Sequence, residues 1–371
     1  MSEATLPVFA IVTGGGTAGH VLPALAIAEA MVSAGHPRAA IHYVGAERGI
    51  EARLVPSSGH PMTLLPGRGI QRRLTWSNAS AVAGLVVAAL RAVLLVRRLR
   101  PKVVVAVGGY ASVAVGLAAV LWRVPLVVAE QNQRPGAANR LLARFARAAA
   151  VAFPGTELPR AVVTGNPIRR EISALDPARD RAAAKAAIGV DPDRRLLLVF
   201  GGSLGALRLN QALVDATARW TRRSDLAVHH VVGRRDWGTL AAPTEVGSLA
   251  LRQVEYEDDM PAALAAADLA VCRAGSSTCF ELAAAGLPAI LVPSPHVTAD
   301  QQTGNARHLV EAGAAVLLPD AEVDGARLAE EVDALLVDPA RLAAMSSAAR
   351  SWARPRAAED IAALAEEHAR G

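Results

Sequence analysis

The sequence predicts an α/β protein with two domains, each built on a doubly wound parallel sheet. Short apolar runs alternate with helix-like stretches along the 371 residues, which is the βαβ pattern of parallel sheets. The pattern restarts at "RRLLLVFGGSLGALRLNQAL", which repeats the strand and glycine turn seen first at "VFAIVTGG". Hydrophobic residues make up 52% of the chain and aromatic residues only 4%, which suits buried strands of Val, Leu and Ala. Two Rossmann-like units explain this repetition better than one large sheet.

In the first half, each strand is followed by a turn and a helix-like stretch. "VFAIVTGG" is a strand with its turn, "LPALAIAEAMVSAG" is a helix closed by Gly35, and "IHYVG" is a second strand. "KVVVAVGG" and "PLVVAEQN" are further strands. Residues 103–122 carry no charge and are long enough to cross a bilayer, but Gly108 and Gly109 after "VVVAV" favour a strand, a turn and a helix.

The second half contains the strands "RRLLLVFGG", "LAVHHVVG", "LAVCRAGS" and "AILVP". We expect the boundary in the polar segment "TGNPIRREISALDPARDRAAAK", with a first domain at 1–165 and a second at 166–352. "ARPRAAEDIAALAEEHARG" predicts a last helix over about 353–371. The periodicity leaves its partner domain open, and packing back on the first domain is one option.

Charge and cysteine content restrict the possible partners and compartment. A formal net charge of +5 fits an acidic ligand or an anionic membrane surface. Basic and aromatic residues are not interleaved, so nucleic acid is not predicted as a partner. Cys272 and Cys279 lack metal-ligand spacing and are expected to be buried thiols in a reducing cytosol. No basic region precedes the first apolar run, so no signal peptide is predicted.

Three glycine turns stand between a strand and a helix, at residues 14–19, at Gly108 and Gly109, and at residues 201–205. Backbone N–H groups and the helix dipole make such turns suitable for phosphate. The first turn also fits the dinucleotide fingerprint, which would indicate an oxidoreductase. That interpretation needs an acidic residue at the end of the second strand, where Gly45 stands and Glu47 comes late.

Two motif residues have both a chemical and a structural interpretation. His20 stands at a helix start, where the dipole favours a neutral imidazole that could act as a general base, or it simply packs in the turn. Glu281 follows Thr278 by three residues and either forms a capping box or accepts ribose hydroxyls. The amides of Gln301 and Gln302 suit sugar hydroxyls or the backbone of their own loop.

Six motifs in order resemble the MurG family of bacterial peptidoglycan N-acetylglucosaminyltransferases. They are "TGGGTAGHVLPALAIA", "VGGYAS", "EQN", "TGNPIR", "GGSLGALRLN" and "CRAGSSTCFELAAAGLPAILVP…H…DQQTGNA". The resemblance implies the GT-B fold, with two Rossmann-like domains facing a cleft. It implies inverting transfer of GlcNAc from UDP-GlcNAc to the MurNAc 4-hydroxyl of lipid I, which yields lipid II and UDP. It also implies a peripheral position on the cytoplasmic face of the bacterial plasma membrane.

The resemblance also assigns site residues. His20 is the leading candidate for the catalytic base. The residues implied to bind the acceptor are Gly15, Gly16, Thr17, Gly109, Tyr110, Glu130, Asn132 and Asn139. Those implied to bind the donor are Arg169, Gly202 and Ser203 at the diphosphate, Thr278 and Glu281 at the nucleoside, and Gln301 and Gln302 at the sugar. The motifs that carry the resemblance contain no Asp-x-Asp metal motif, so neither an essential metal nor a cofactor is expected.

The chain departs from the family pattern at two turns. Leu204 stands where the family usually has glutamine, which would remove any side-chain contact there. Ser112 is followed by Val113 and Ala114, where Gly-Pro is common, which puts the geometry of that turn in doubt.

The resemblance gives a role to the helix-like stretch "LTWSNASAVAGLVVAALRAVLLVRRLRPK". Its apolar face and its end at Arg97, Arg98 and Arg100 suit docking on anionic lipid, although an ordinary core helix has the same pattern. Three other functions stay open: a GT-B transferase with another lipid acceptor, a nucleotide-dependent oxidoreductase, and a non-catalytic scaffold.

Overall fold

The computed structural model describes residues 7–47, 49–66, 77–202, 205–240, 246–297 and 300–371. The chain divides into two compact units, Met1–Arg169 with Arg354–Gly371 and Arg170–Ala353. The polar segment expected at the boundary contains two helices, α6 (Arg170–Ser173) and α7 (Pro177–Ala187).

The first unit contains a seven-stranded sheet with the order β3-β2-β1-β4-β5-β6-β7. Its strands are β1 (Ala10–Gly14), β2 (Ile41–Ala46), β3 (Met62–Leu65), β4 (Val103–Gly108), β5 (Leu126–Glu130), β6 (Ala148–Val151) and β7 (Ala161–Val163). Every neighbouring pair is parallel. The strand order reverses between β1 and β4, so the carboxyl ends of these strands flank a topological switch point, where α/β proteins bind ligands.

Helices cover both faces of this sheet. They are α1 (Ala18–Ser33), α2 (Glu51–Leu54), α3 (Ser77–Leu99), α4 (Tyr110–Leu121), α5 (Ala137–Ala143) and α14 (Ala357–His368). One core joins buried side chains of α3, α4 and α5 to the sheet. The other joins α1 and α14, with Ile361 of α14 in the same cluster as Val103 and Val105 of β4.

Residues 103–122 form β4, a glycine turn and α4, as the sequence predicts. Among the described residues, no helix combines the length and apolar character that a membrane span requires.

The second unit contains a six-stranded parallel sheet with the order β10-β9-β8-β11-β12-β13. Its strands are β8 (Arg195–Phe200), β9 (Leu226–Val231), β10 (Ala250–Val254), β11 (Leu269–Cys272), β12 (Ala289–Leu291) and β13 (Ala315–Leu317). Its longer helices are α8 (Leu207–Thr217), α9 (Met260–Ala266), α10 (Ser276–Ala285), α11 (Gln301–Glu311), α12 (Gly325–Leu336) and α13 (Pro339–Trp352). The order reverses between β8 and β11. Two parallel, Rossmann-like sheets confirm the predicted fold class.

We expect Ile361→Ala to destabilise the protein, because Ile361 is 1% exposed and packs between α14 and the first sheet. Removing a buried isoleucine side chain costs about 2–5 kcal/mol. Urea unfolding followed by circular dichroism measures this loss. Glu367→Ala, at an exposed position of the same helix, is the control. Equal stability of the two variants would contradict this packing.

Candidate active site

The first switch point brings two glycine turns into contact. The Gly15 amide donates to the Gly108 carbonyl at 3.3 Å. A Cβ on Gly109 would lie 2.5 Å from the Gly15 carbonyl oxygen, and both Gly108 (φ +128°) and Gly109 (φ +87°) occupy backbone conformations that favour glycine. Steric exclusion and backbone conformation therefore both require glycine at 108 and 109.

Ser112 joins the ends of β1 and β4 beneath these turns. Its fully buried hydroxyl lies 2.8 Å from the Thr13 carbonyl and 2.7 Å from the Gly108 carbonyl, and it accepts from the Gly108 amide. The following residues, Val113 and Ala114, continue α4 without interruption. The departure from Gly-Pro at these positions therefore leaves a regular helix.

His20 lies in the first turn of α1, and its ring packs on the bare backbone of Gly108. A Cβ on Gly108 would come within 2.8 Å of His20 Cδ2. The Thr17 hydroxyl lies 3.3 Å from His20 Nδ1. Burial lowers the pKa of His20, and the negative charge of Glu130, a bond to the Gly15 backbone and the charge of Glu51 partly offset that effect. This direction agrees with the predicted neutral imidazole.

Glu51 is a site residue that the sequence interpretation missed. Its carboxylate is fully buried and accepts from the Ala46 amide at 2.7 Å and from the Gly16 amide at 3.1 Å. A Cβ on Gly15 or on Gly45 would overlap the Glu51 side chain. Glu51 therefore fixes the first glycine turn from behind. It also occupies the Gly16 amide, which the phosphate hypothesis had counted as a donor.

Glu130 and Asn139 are buried in a hydrogen-bond network at the end of β5. One Glu130 oxygen accepts from the Asn132 amide at 2.9 Å, and the other accepts from the Gly136 amide and from Asn139 Nδ2, each at 2.9 Å. This network fixes the loop that follows β5 and places a negative charge near His20. Asn132 is half-buried, and its Nδ2 donates to Glu130 Oε1 at 3.3 Å; its acceptor contact stays a prediction.

Thr17 and Tyr110 border the same switch point. Thr17 is the N-cap of α1 but makes no side-chain capping bond, so its exposed hydroxyl remains close to His20. The Tyr110 hydroxyl donates to the Leu65 carbonyl at 3.0 Å, which ties the start of α4 to the end of β3.

The second switch point opens into a cavity of about 920 Å³. Gly201, Gly202 and Gly205 of the turn after β8 line one wall, and Gln302 lines another. The Gln302 side-chain oxygen accepts from the Ser294 amide at 2.8 Å, which is the loop-backbone role considered for it above. The predicted residue Ser203 and the departure at Leu204 lie outside the described residues.

The capping-box interpretation of Glu281 is wrong. α10 begins at Ser276, and its N-cap is Gly275, so Thr278 is the third helical residue and Glu281 lies in the helix interior. The structure places both side chains, half-buried, on the helix that follows β11. Gln301 is the first residue of α11, and Arg169 is the last residue before the chain enters the second unit. Their ligand contacts stay predictions.

Three arginines and His296 line the cavity and were not predicted. Arg273 directly follows β11 and pairs with Asp320 at 2.5 Å. Arg208 donates to the carbonyls of Ala321 and Val323. Arg273 could have been predicted from the sequence, because it directly follows a buried strand and so lies at the carboxyl end of the sheet. Arg208 and Arg235 gave none beyond their charge.

Two Rossmann-like units, each with a glycine turn at its switch point, define the GT-B class of glycosyltransferases. Comparison with known proteins agrees with this class. The chain matches the model of the glycosyltransferase family 28 N-terminal domain over residues 10–151 and that of the C-terminal domain over residues 196–362. The chain belongs to glycosyltransferase family 28.

More particular similarity comes from relatives and from a solved structure. Two relatives are named UDP-N-acetylglucosamine–N-acetylmuramyl-(pentapeptide) pyrophosphoryl-undecaprenol N-acetylglucosamine transferase. The one from Salinibacter ruber is 43% identical over 96% of this chain and 97% of its own length. The one from Methylococcus capsulatus is 42% identical over 97% and 98%. The crystal structure of Acinetobacter baumannii MurG aligns with a TM-score of 0.74 and 28% identity over 97% of this chain and all of that one.

We expect Glu51→Gln to lower the pKa of His20 further, because the charge of Glu51 raises it. Titration of the His20 ring by NMR measures this pKa. Glu47→Gln is the matched control, since Glu47 is exposed and pairs with Arg91 at 3.7 Å. An unchanged pKa of His20 in Glu51→Gln would show that Glu51 has no electrostatic effect at the site.

Proposed function

We propose that the two switch points carry out the transfer for which the relatives are named. The protein transfers GlcNAc from UDP-GlcNAc to the MurNAc 4-hydroxyl of lipid I, forming lipid II and UDP with inversion at the sugar. The observation that carries the assignment of roles is the position of His20. It is the one imidazole packed on the glycine turns of the first switch point among the described residues.

His20 is the general base in this proposal. The acceptor hydroxyl attacks the anomeric carbon, its proton passes to the neutral imidazole, and the bond between that carbon and the UDP oxygen breaks. A ring whose pKa is lowered by burial stays unprotonated at neutral pH and can accept this proton. Thr17, Tyr110 and Asn132 border the acceptor, while Glu51 and Glu130 fix the turns around it.

The second unit holds the donor in this proposal. Negative charge grows on UDP as the bond breaks, and the glycine turn with Gly202 at the start of α8 offers backbone amides and a helix dipole to that charge. Ser203 and Arg169 join them at the diphosphate, Thr278 and Glu281 bind the nucleoside, and Gln301 with Gln302 orients the sugar. The side-chain amide of each glutamine can hydrogen-bond to sugar hydroxyl groups.

Peripheral docking on an anionic membrane completes the proposal. Helix α4 packs against both α3 and α5, and large apolar side chains on these helices and just after them are exposed. We call them the apolar patch: Val86, Val87, Leu90, Leu94, Leu117, Leu121, Trp122, Leu141 and Phe145. The Arg97 guanidinium lies 5.4 Å from the centre of the Trp122 ring at the edge of this patch. Exposed apolar patches rimmed by cations are typical of membrane contact.

A basic cavity beside Phe145 supports the same contact. It measures about 660 Å³ and is lined by Arg123, Arg144, Arg147 and Arg160. Four guanidinium groups would attract lipid phosphates. In this proposal the protein docks on the cytoplasmic face of the plasma membrane, where it meets its lipid-linked acceptor.

The function is tested with radiolabelled UDP-GlcNAc and a short-chain lipid I analogue, in the presence of EDTA. A polyprenyl diphosphate without MurNAc is the control acceptor. We expect label on the MurNAc acceptor alone. If UDP binds but no label moves, the acceptor assignment fails while the fold and the donor site remain.

We expect His20→Ala to lower turnover by about 10²–10⁴-fold, which is the usual contribution of a general base. UDP affinity should stay within about twofold, because the predicted donor contacts, apart from Arg169, lie in the second unit. Steady-state kinetics and calorimetry measure the two effects. His36→Ala, on the same unit, is the control. Near-normal turnover in His20→Ala would exclude His20 as the base.

We expect Leu90→Glu to weaken binding to phosphatidylglycerol vesicles by roughly tenfold or more, since burying a leucine contributes about 1.5–3 kcal/mol. Leu90 is 61% exposed, so the fold should tolerate the change. Val337→Glu, 72% exposed in the second unit, is the matched control. Vesicle flotation measures the binding, and equal flotation of both variants would show that the apolar patch does not contact lipid.

A further inference from the structure

A line of hydrogen-bonded polar side chains runs from the second sheet to the cavity at the second switch point. Gln253 Nε2 lies 3.0 Å from His230 Nδ1, and His230 Nε2 lies 2.9 Å from Asn210 Oδ1. Asn210 Nδ2 donates to Asp236 Oδ2 at 3.0 Å, and Arg235 Nε donates to Asp236 Oδ1 at 3.0 Å. We call these five residues the polar chain.

The polar chain is satisfied at every link, so it holds Asp236 in one place. His230 and Asn210 are fully buried, and burial lowers the pKa of His230 to about 4. A neutral His230 donates from Nε2 to Asn210 and accepts at Nδ1 from Gln253. Networks of this kind stabilise one geometry of their members.

Asp236 in turn fixes both the glycine turn and Arg235. A Cβ on Gly205 would lie 2.6 Å from Asp236 Oδ2, so the turn and the carboxylate are in direct contact. Asp236 is 3% exposed, whereas the side chain of Arg235 is 60% exposed. Asp236 thus holds one edge of the Arg235 guanidinium and leaves the rest of the group at the cavity.

Arg235 differs from the two other arginines that line the cavity. The guanidinium of Arg273 pairs with Asp320 and donates to the Val292 carbonyl at 3.1 Å. Arg208 donates to the Ala321 carbonyl at 2.8 Å. The contact of Arg235 with the protein backbone is a long one, from Nη2 to the Gly205 carbonyl at 3.4 Å. A bond of that length is weak, and a charged acceptor on a ligand would replace it.

We propose that Arg235 binds the diphosphate of the UDP-sugar donor and that Asp236, through the polar chain, positions it there. The inference rests on the proposed function, because it takes a nucleoside diphosphate as the ligand. A guanidinium beside a glycine turn at a helix start combines two phosphate-binding elements in one cavity. Arg235 would add a second guanidinium to that of Arg169, which the proposed function places at the same diphosphate.

The test compares UDP with uridine, which lacks the diphosphate. We expect Arg235→Ala to weaken UDP binding about tenfold or more and to leave uridine binding, measured by competition, within about twofold. Arg234→Ala is the matched control, because Arg234 neighbours Arg235 but lies 5.0 Å from the centre of the Tyr256 ring. Arg234→Ala should bind both ligands like the wild type.

Asp236→Asn tests the positioning role. If Asp236 acts through Arg235, Asp236→Asn should lower UDP affinity in the wild type but not in the Arg235→Ala variant. If Asp236 has a separate structural effect, the double variant should bind UDP more weakly than Arg235→Ala alone. Arg235→Lys should restore part of the UDP affinity. Equal UDP affinity in Arg235→Ala and the wild type would overturn the inference and leave the proposed function intact. A wild-type chain that binds no UDP would overturn both.

Discussion

The contact between the Gly15 and Gly109 turns is the constraint on which the first site depends. Because no side chain separates these turns, the ends of β1 and β4 meet closely enough for Ser112 to bond to both. His20 can then pack on bare backbone at Gly108, in a position where burial keeps its ring neutral. Glu51 at the start of α2 and Glu130 at the end of β5 lie around the same meeting point. A side chain at 109 would separate the strand ends and displace each of these groups.

The two units hold their glycine turns in place in the same way. Each sheet reverses its strand order beside a glycine turn, and each turn has a buried carboxylate behind it, Glu51 in the first unit and Asp236 in the second. In both cases a Cβ on a turn glycine, Gly15 or Gly205, would collide with that carboxylate. Each carboxylate accepts hydrogen bonds on the inner side of its turn. The outer side of the turn is therefore left open to a ligand. Their hydrogen-bond partners differ, with backbone amides around Glu51 and the side chains of Asn210 and Arg235 around Asp236.

The fold was predictable where physical signals are local. Continuous apolar runs that end in glycine predicted β1, β4 and β8, and the pattern of strand, glycine turn and helix placed His20 at a helix start and Gly202 in a turn suited to phosphate. Five strands were missed. Four of them, β3, β6, β7 and β13, have only three or four residues, and β10 is only partly buried. Glu51 was missed because it lies 35 residues from the Gly16 amide that it accepts from, and "GIEARL" resembles an ordinary solvated helix. Arg235 was missed because charges in a loop are usually solvated.

The packing of α14 has a consequence for how the protein forms during synthesis. Ile361, Ala362 and Ala365 belong to the same core as β1 and β4, although the whole second unit lies between them in the chain. Domains tend to fold in order as the ribosome releases them. Here the second unit can complete its sheet before α14 is synthesised, while the part of the first sheet that α14 covers is still exposed. The nascent first unit is therefore the stage at which chaperone protection matters most.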